Sequence, residues 1–254
     1  MRRANLSDST IVHYVKPVKM IVASAVDSNG EQIYQPKWNN DFIGLPIVQK
    51  EKQHRPSLTE AELGKILAKA KGRWFVLFAL LAGTGLRIGE ALGLKPTDLS
   101  PDCRVLFVRR SIYHGQEQSP KTPNALREID IAEPLAQLLR RYVAGKSGYL
   151  FAVVSGRPLQ YRNAVRALHA TGVKVGFHAF RRFRAETLRR AQVPEDLTKL
   201  WLGHAKNSIT DYYAGGLSKD LAWRREWCDR VGLGFQLGYI GPQNAVTIDS
   251  EKVA

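Results

Sequence analysis

Arg87, Lys121, His178, Arg181, His204 and Tyr213 are side chains that together can break a phosphodiester without a metal. Arg87 lies in Thr84-Gly85-Leu86-Arg87-Ile88-Gly89-Glu90, and Lys121 in Ser119-Pro120-Lys121-Thr122. His178 and Arg181 form His-Ala-Phe-Arg, and His204 closes Leu202-Gly203-His204. Two arginines can grip the non-bridging oxygens of a phosphate in bidentate fashion. A lysine near them has its pKa lowered and becomes a better general acid. A phenol is a poor nucleophile at neutral pH, and nearby cations are what stabilise its phenolate. His178 can help deprotonate that nucleophile, and His204 can hydrogen-bond a phosphate oxygen.

These residues must be positioned by local elements. Thr59-Glu60-Ala61-Glu62 is a capping-box signature that opens a helix. A strongly apolar helix follows over about 73–82, and Gly83-Thr84-Gly85 interrupts it before a third helix starts near Arg87. Arg87 then sits at a helix N-terminus, where free backbone N–H groups and the helix dipole favour an anion, with Glu90 one turn on to fix it. Residues 104–108 and 127–131 read as strands, and Pro120 and Pro123-Asn124 bracket Lys121 in a turn between them. The stretch 133–232 reads as helices broken at Gly145-Lys-Ser-Gly148, Gly156-Arg-Pro158 and Gly172. His178 and Arg181 share one helix face, with Phe177, Phe180 and Phe183 turned to the core. Arg182, Arg184, Arg189 and Arg190 read as a solvated basic stripe.

The chain of 254 residues carries 38 Lys and Arg against 23 Asp and Glu, a net charge of +15, and such an excess favours a polyanionic partner, nucleic acid above all. Cys103 and Cys228 form no CxxC pair, which argues against a disulfide framework or a zinc site and fits a reducing cytosol. The most apolar run, Trp74 to Gly83, is too short for a membrane span, and no signal-type segment follows the first charges. Residues 7–27 have helical spacing, and Pro17 predicts a kink or a break into two shorter helices. Asn29-Gly30 marks a turn. The expected organisation is a helical segment over 1–45, a basic linker over 46–57, a main domain over 58–232 and a weakly structured tail over 233–254. The expected class is α+β, mainly α with a small antiparallel β-sheet.

The order Arg…Lys…His-x-x-Arg…Leu-Gly-His…Tyr resembles the catalytic domain of the tyrosine recombinases, the phage integrase family, over about 56–232. The family's tyrosine stands nine residues after the Leu-Gly-His histidine and three after a threonine. Tyr213 meets both spacings with His204 and Thr210, whereas Tyr212 misses by one. The resemblance implies attack by Tyr213 on DNA, a 3′-phosphotyrosyl bond and a released 5′-hydroxyl, with no cofactor and no metal. Arg87 and Arg181 would hold the phosphate with His204 assisting, Lys121 would protonate the leaving oxygen, and His178 would accept a proton or orient its acceptor. It implies double-stranded DNA as partner, a homotetramer on paired sites and residence with the nucleoid in the cytoplasm. The helix expected within Leu217 to Gly232 either packs on a neighbouring copy or folds back on its own domain. Upstream, 1–45 resembles only the last part of the family's DNA-gripping N-terminal domain. A non-catalytic DNA-binding remnant and a type IB topoisomerase are the competing expectations.

Overall fold

The computed structural model of the chain describes residues 6–34, 44–49, 56–119, 126–204, 216 and 219–238. Lys121, Thr210, Tyr212, Tyr213 and Leu217 lie outside the described residues, as do parts of the expected linker and tail. The chain divides into two compact units, Met1–Arg55 and Pro56–Ala254.

In the first unit, helix α1 (Asp8–Ala23) starts at Ser7, whose hydroxyl accepts the Thr10 N–H at 3.3 Å. The helix runs through Pro17 as one element. Two shorter helices do not form, because a proline removes one backbone hydrogen bond while the turns on both sides stay intact. The Asn29-Gly30 turn is present. Gly30 N–H reaches Asp27 O at 3.1 Å, and Val26 bridges Gln32 across it.

The second unit opens with α2 (Glu60–Lys69), capped reciprocally by Thr59 and Glu62 as the sequence predicts. Next comes α3 (Arg73–Thr84), buried without interruption from Phe75 to Thr84. A helix apolar on all sides belongs at the centre of a core. Phe78 accordingly stacks on Phe180, centroids 5.9 Å apart, and meets Phe177 at 6.4 Å. Short helix α4 (Ile88–Leu92) follows, then strands β1 (Val105–Val108), β2 (Ser111–Tyr113), β3 (Gln116–Gln118) and β4 (Arg127–Asp130). Helices α5 (Glu133–Val143), α6 (Tyr161–Ala170), α7 (His178–Arg190), α8 (Glu195–Leu202) and α9 (Leu221–Val231) follow, and a single 3-10 turn, Pro96–Asp98, lies between α4 and β1. The fold is mainly helical with small antiparallel sheets.

Strands β1 and β4 pair antiparallel, Val105 opposite Asp130 and Val108 opposite Arg127. The hairpin of β2 and β3 was not expected. Its two-residue turn is His114-Gly115, with φ of 50° and 78°, the geometry that matches strand twist in a tight hairpin. No helix forms between Gly148 and Gly156. Val153 N–H donates to Arg157 O at 2.9 Å and Leu159 N–H to Phe151 O at 2.8 Å, closing a turn around Gly156 instead. Among the described residues no helix is long and apolar enough to cross a membrane.

Helix α9 folds back on its own domain. Arg224, 4% exposed, meets Asp130 through Nε at 2.7 Å and Nη2 at 3.1 Å, and Glu128 through Nη1 at 2.8 Å. Asp130 also accepts the Trp201 indole N–H at 2.7 Å. Arg184 does not belong to a solvated stripe. It is buried, and it donates to the carbonyl of Gly232 at 2.7 Å, just past α9. The first tail residues are packed too, with Leu233 buried and Phe235 edge-on to Phe183 at 6.1 Å. Replacing Arg224 by Met leaves Asp130 buried without its cation, so unfolding free energy should drop by about 3–5 kcal/mol in urea titrations. An unchanged midpoint would show that the ion pair of Arg224 with Asp130 contributes nothing to stability.

Candidate functional site

Arg87 caps the five-residue helix α4 in extended backbone, φ −71° and ψ 146°. Its own N–H donates to Glu90 Oε2 at 2.8 Å and its Nη1 to Glu90 Oε1 at 2.9 Å. This corrects one expectation. The helix is too short for a sizeable dipole, and Glu90 already occupies the Arg87 amide, so attraction for an anion falls to the side chains. The Arg87 side chain remains 43% exposed while that of Glu90 is 6% exposed.

Beneath this pair lies Arg127, the first residue of β4, with a side chain 2% exposed. Its Nη1 and Nη2 donate to Glu90 Oε1 and Oε2 at 3.0 and 2.9 Å, and its Nε donates to Trp201 O at 3.0 Å. Burial would raise the Glu90 carboxyl. Hydrogen bonds from Arg127 and its charge, then the amide and charge of Arg87, bring it below the usual carboxylate range.

Arg181 comes from the first turn of α7. Its guanidinium donates to Gly85 O at 2.9 Å and to Leu202 O. Burial, then the charges of Arg87 and Arg127, bring its pKa down to about 10, which leaves it charged at neutral pH. Gly203, with φ 64°, ends α8, and the next N–H, from His204, reaches back to Lys199 O at 3.0 Å. A Cβ at Gly203 would lie 2.9 Å from Arg127 Cδ, so glycine is required there twice over.

His204 is exposed on one side, yet burial of the ring, followed by Arg181, Arg87, Arg127 and Lys199, pushes its pKa below the usual histidine value. Burial, then Arg182, Arg181 and Arg87, act on His178 in the same direction. The four described candidates Arg87, His178, Arg181 and His204 therefore share one electrostatic neighbourhood, with Glu90 under Arg87. Lys121 and Tyr213 lie outside the described residues. Sequence reasoning missed Arg127 as a member of this group. The available signal was its register: Arg127 and Ile129 fall on one strand face, which places a guanidinium at the core. Among the described residues, no group of three or more His, Cys, Asp or Glu side chains can hold a metal ion.

A half-buried cluster of arginine and histidine on a mainly helical domain defines a cationic, anion-attracting class of site. Residues 56–218 match the phage integrase family, and the chain belongs to that family. It is 32% identical over 189 residues to a XerC-like tyrosine recombinase of Caldanaerobacter subterraneus, covering 61% of this chain and 48% of that one. It is 30% identical over 191 residues to tyrosine recombinase XerA of Pyrococcus furiosus, covering 70% of this chain and 62% of that one. The chain thus spans about half the length of the first of these relatives. The solved Tn1549 transposon integrase, in complex with transposon right end DNA, has a TM-score of 0.62 at 20% identity over 87% of this chain and 82% of its own. The integrase of mycobacterium phage Brujita gives 0.55 at 16% identity over 77% and 64%. At those identities the likeness establishes the fold.

The lowered imidazoles make stability depend on pH. Below the ordinary value of 6.5 the unfolded chain binds protons that folded His178 and His204 refuse, so stability is full above 6.5 and is lost as pH falls through the folded values. Urea midpoints should drop between pH 8 and about pH 5.5, and the double replacement His178→Gln, His204→Gln should flatten that slope. An equally steep slope in the double variant would assign the effect elsewhere.

Proposed function

We propose that the chain carries the catalytic domain of a site-specific DNA recombinase acting through a 3′-phosphotyrosyl intermediate. The observation that carries this reading is the convergence of Arg87, Arg181, His178 and His204, in which Arg181 is held by carbonyl oxygens and keeps its charge. Membership of the phage integrase family supports the same reading.

In the proposed reaction, the Tyr213 oxygen attacks a DNA phosphorus, and the bond from phosphorus to the 5′-oxygen breaks. Arg87 and Arg181 hold the non-bridging oxygens, with His204 as a further donor. His178 accepts the phenol proton or orients its acceptor, and Lys121 protonates the departing 5′-oxygen. Glu90 fixes Arg87. A 5′-hydroxyl from a second duplex then attacks the phosphotyrosine, which restores Tyr213 and joins the new partner. The bond energy stays in the phosphotyrosine, so the chemistry asks for no nucleotide cofactor. Residues 1–45 would contribute part of the grip on double-stranded DNA, and the basic linker would touch phosphates. Assembly as a homotetramer on paired sites and residence on the nucleoid belong to the same proposal. Because α9 is packed on its own domain, contacts from Leu217 to Gly232 would have to use the outer face of that helix.

On a suicide substrate carrying a nick, Tyr213→Phe should abolish the covalent protein–DNA adduct on a denaturing gel, and Tyr212→Phe should keep it. An adduct that survives in Tyr213→Phe moves the nucleophile elsewhere. DNA retention without an adduct in the unaltered chain would point to a binding remnant, and relaxation of any supercoiled plasmid to a topoisomerase. Lys121→Ala should fail on ordinary DNA and recover on DNA with a 5′-thio leaving group, which needs no proton. Failure on both substrates removes Lys121 from the general-acid role.

A further inference from the structure

The Glu90 carboxylate has two arginine partners, and they hold it differently. Oε2 accepts the Arg87 amide at 2.8 Å and Arg127 Nη2 at 2.9 Å, while Oε1 accepts Arg87 Nη1 at 2.9 Å and Arg127 Nη1 at 3.0 Å. All the lone-pair sites of the carboxylate are thereby occupied. The Arg127 contact is bidentate and buried, whereas Arg87 offers one guanidinium nitrogen and stays largely open. If Glu90 had Arg87 alone, the two would form a closed ion pair, and Arg87 would bring little net charge to a phosphate.

We propose that Arg127 is a positioning residue: it neutralises Glu90, so that Glu90 orients Arg87 without cancelling the charge Arg87 presents. The proposal rests on the reading above in which Arg87 grips a phosphate. The same guanidinium sets the height of His204. Its Nε holds the Trp201 carbonyl at 3.0 Å, and its Cδ is so close to Gly203 that a Cβ there would stand 2.9 Å away. One buried side chain thus fixes the orientation of Arg87 on α4 and the end of α8 that carries His204. Lysine cannot replace it, since a point charge does not bridge both carboxylate oxygens and a carbonyl in one plane.

The test uses Arg127→Met, Glu90→Gln and the pair together in the full chain. Arg127→Met should slow adduct formation about tenfold or more at saturating DNA, because Glu90 then draws in Arg87. Adding Glu90→Gln should recover most of that rate. Independently of any cleavage, proton NMR titration should show His204 moving to a higher pKa in Arg127→Met and back in the double variant. Wild-type cleavage by Arg127→Met overturns the proposal. So does a double variant whose unfolding midpoint recovers while its rate does not, since Arg127 would then be only a brace. If the unaltered chain forms no adduct yet the His204 shifts appear, the functional reading fails and the charge balance stands. If the shifts are absent, the charge balance itself is wrong.

Discussion

The buried ion pair between Glu90 and Arg127 is the joint on which the cationic face of this domain depends. Removing two ions from water costs several kcal/mol each, and only complete hydrogen bonding offsets it. Here both carboxylate oxygens receive two donors, and the Arg127 Nε–H donates to the Trp201 carbonyl. The pair joins α4, β4 and the end of α8, three elements far apart in sequence. A hydrophobic substitute of equal volume could join them as firmly, yet would leave Arg87 with nothing to orient it. The ion pair is therefore better explained by what it does to Arg87 than by the stability it adds.

Strand β4 serves two sites at once because its side chains alternate. Arg127 and Ile129 lie on one face, Glu128 and Asp130 on the other. The first face reaches Glu90, and the second receives Arg224 of α9. Trp201 connects the two, accepting from Arg127 at its carbonyl and donating to Asp130 through its indole. Helix α9 is thus linked to the anion site through a hydrogen-bonded series of rigid groups.

Much of this was legible in sequence. The Thr59 and Glu62 cap, the apolar α3, the strand pair β1 and β4, and the core-facing Phe177, Phe180 and Phe183 all follow from local chemistry. The β2–β3 hairpin was not legible, because its strands have three residues each and bury one side chain, Ile112. The segment between Gly148 and Gly156 is rich in aromatic and β-branched residues, and its pairing with 157–159 decides it as an extended turn rather than a helix. Arg184 looked like one more solvated arginine in a basic run. Its burial depends on the carbonyl of Gly232, 48 residues away, and no local pattern announces that. Arg87, His178, Arg181 and His204 could be nominated from spacing; strand register could place Arg127 at the core, but its partner Glu90 across the fold could not be read locally.

The way Arg181 is held shows how a site can stay charged before any anion arrives. A carboxylate partner would satisfy the guanidinium and cancel it. Carbonyls satisfy its donors with only partial, dipolar negative charge, so most of the positive charge remains. The two carbonyls used are those of Gly85 and Leu202, at the C-terminal ends of α3 and α8, where backbone oxygens have lost their helical partners and carry the negative end of the helix dipole. Both ends are turned by left-handed glycines, Gly85 with φ 70° and Gly203 with φ 64°. A side chain at Gly85 would also collide with Leu202, its Cβ 2.8 Å from Cδ2. Two helix ends that needed donors and one arginine that needed acceptors thus satisfy each other, and the positive charge left over faces the site. Such a preorganised charge stabilises developing negative charge without reorganising when it arrives. The two glycines are on this view as much a part of the anion site as the arginines.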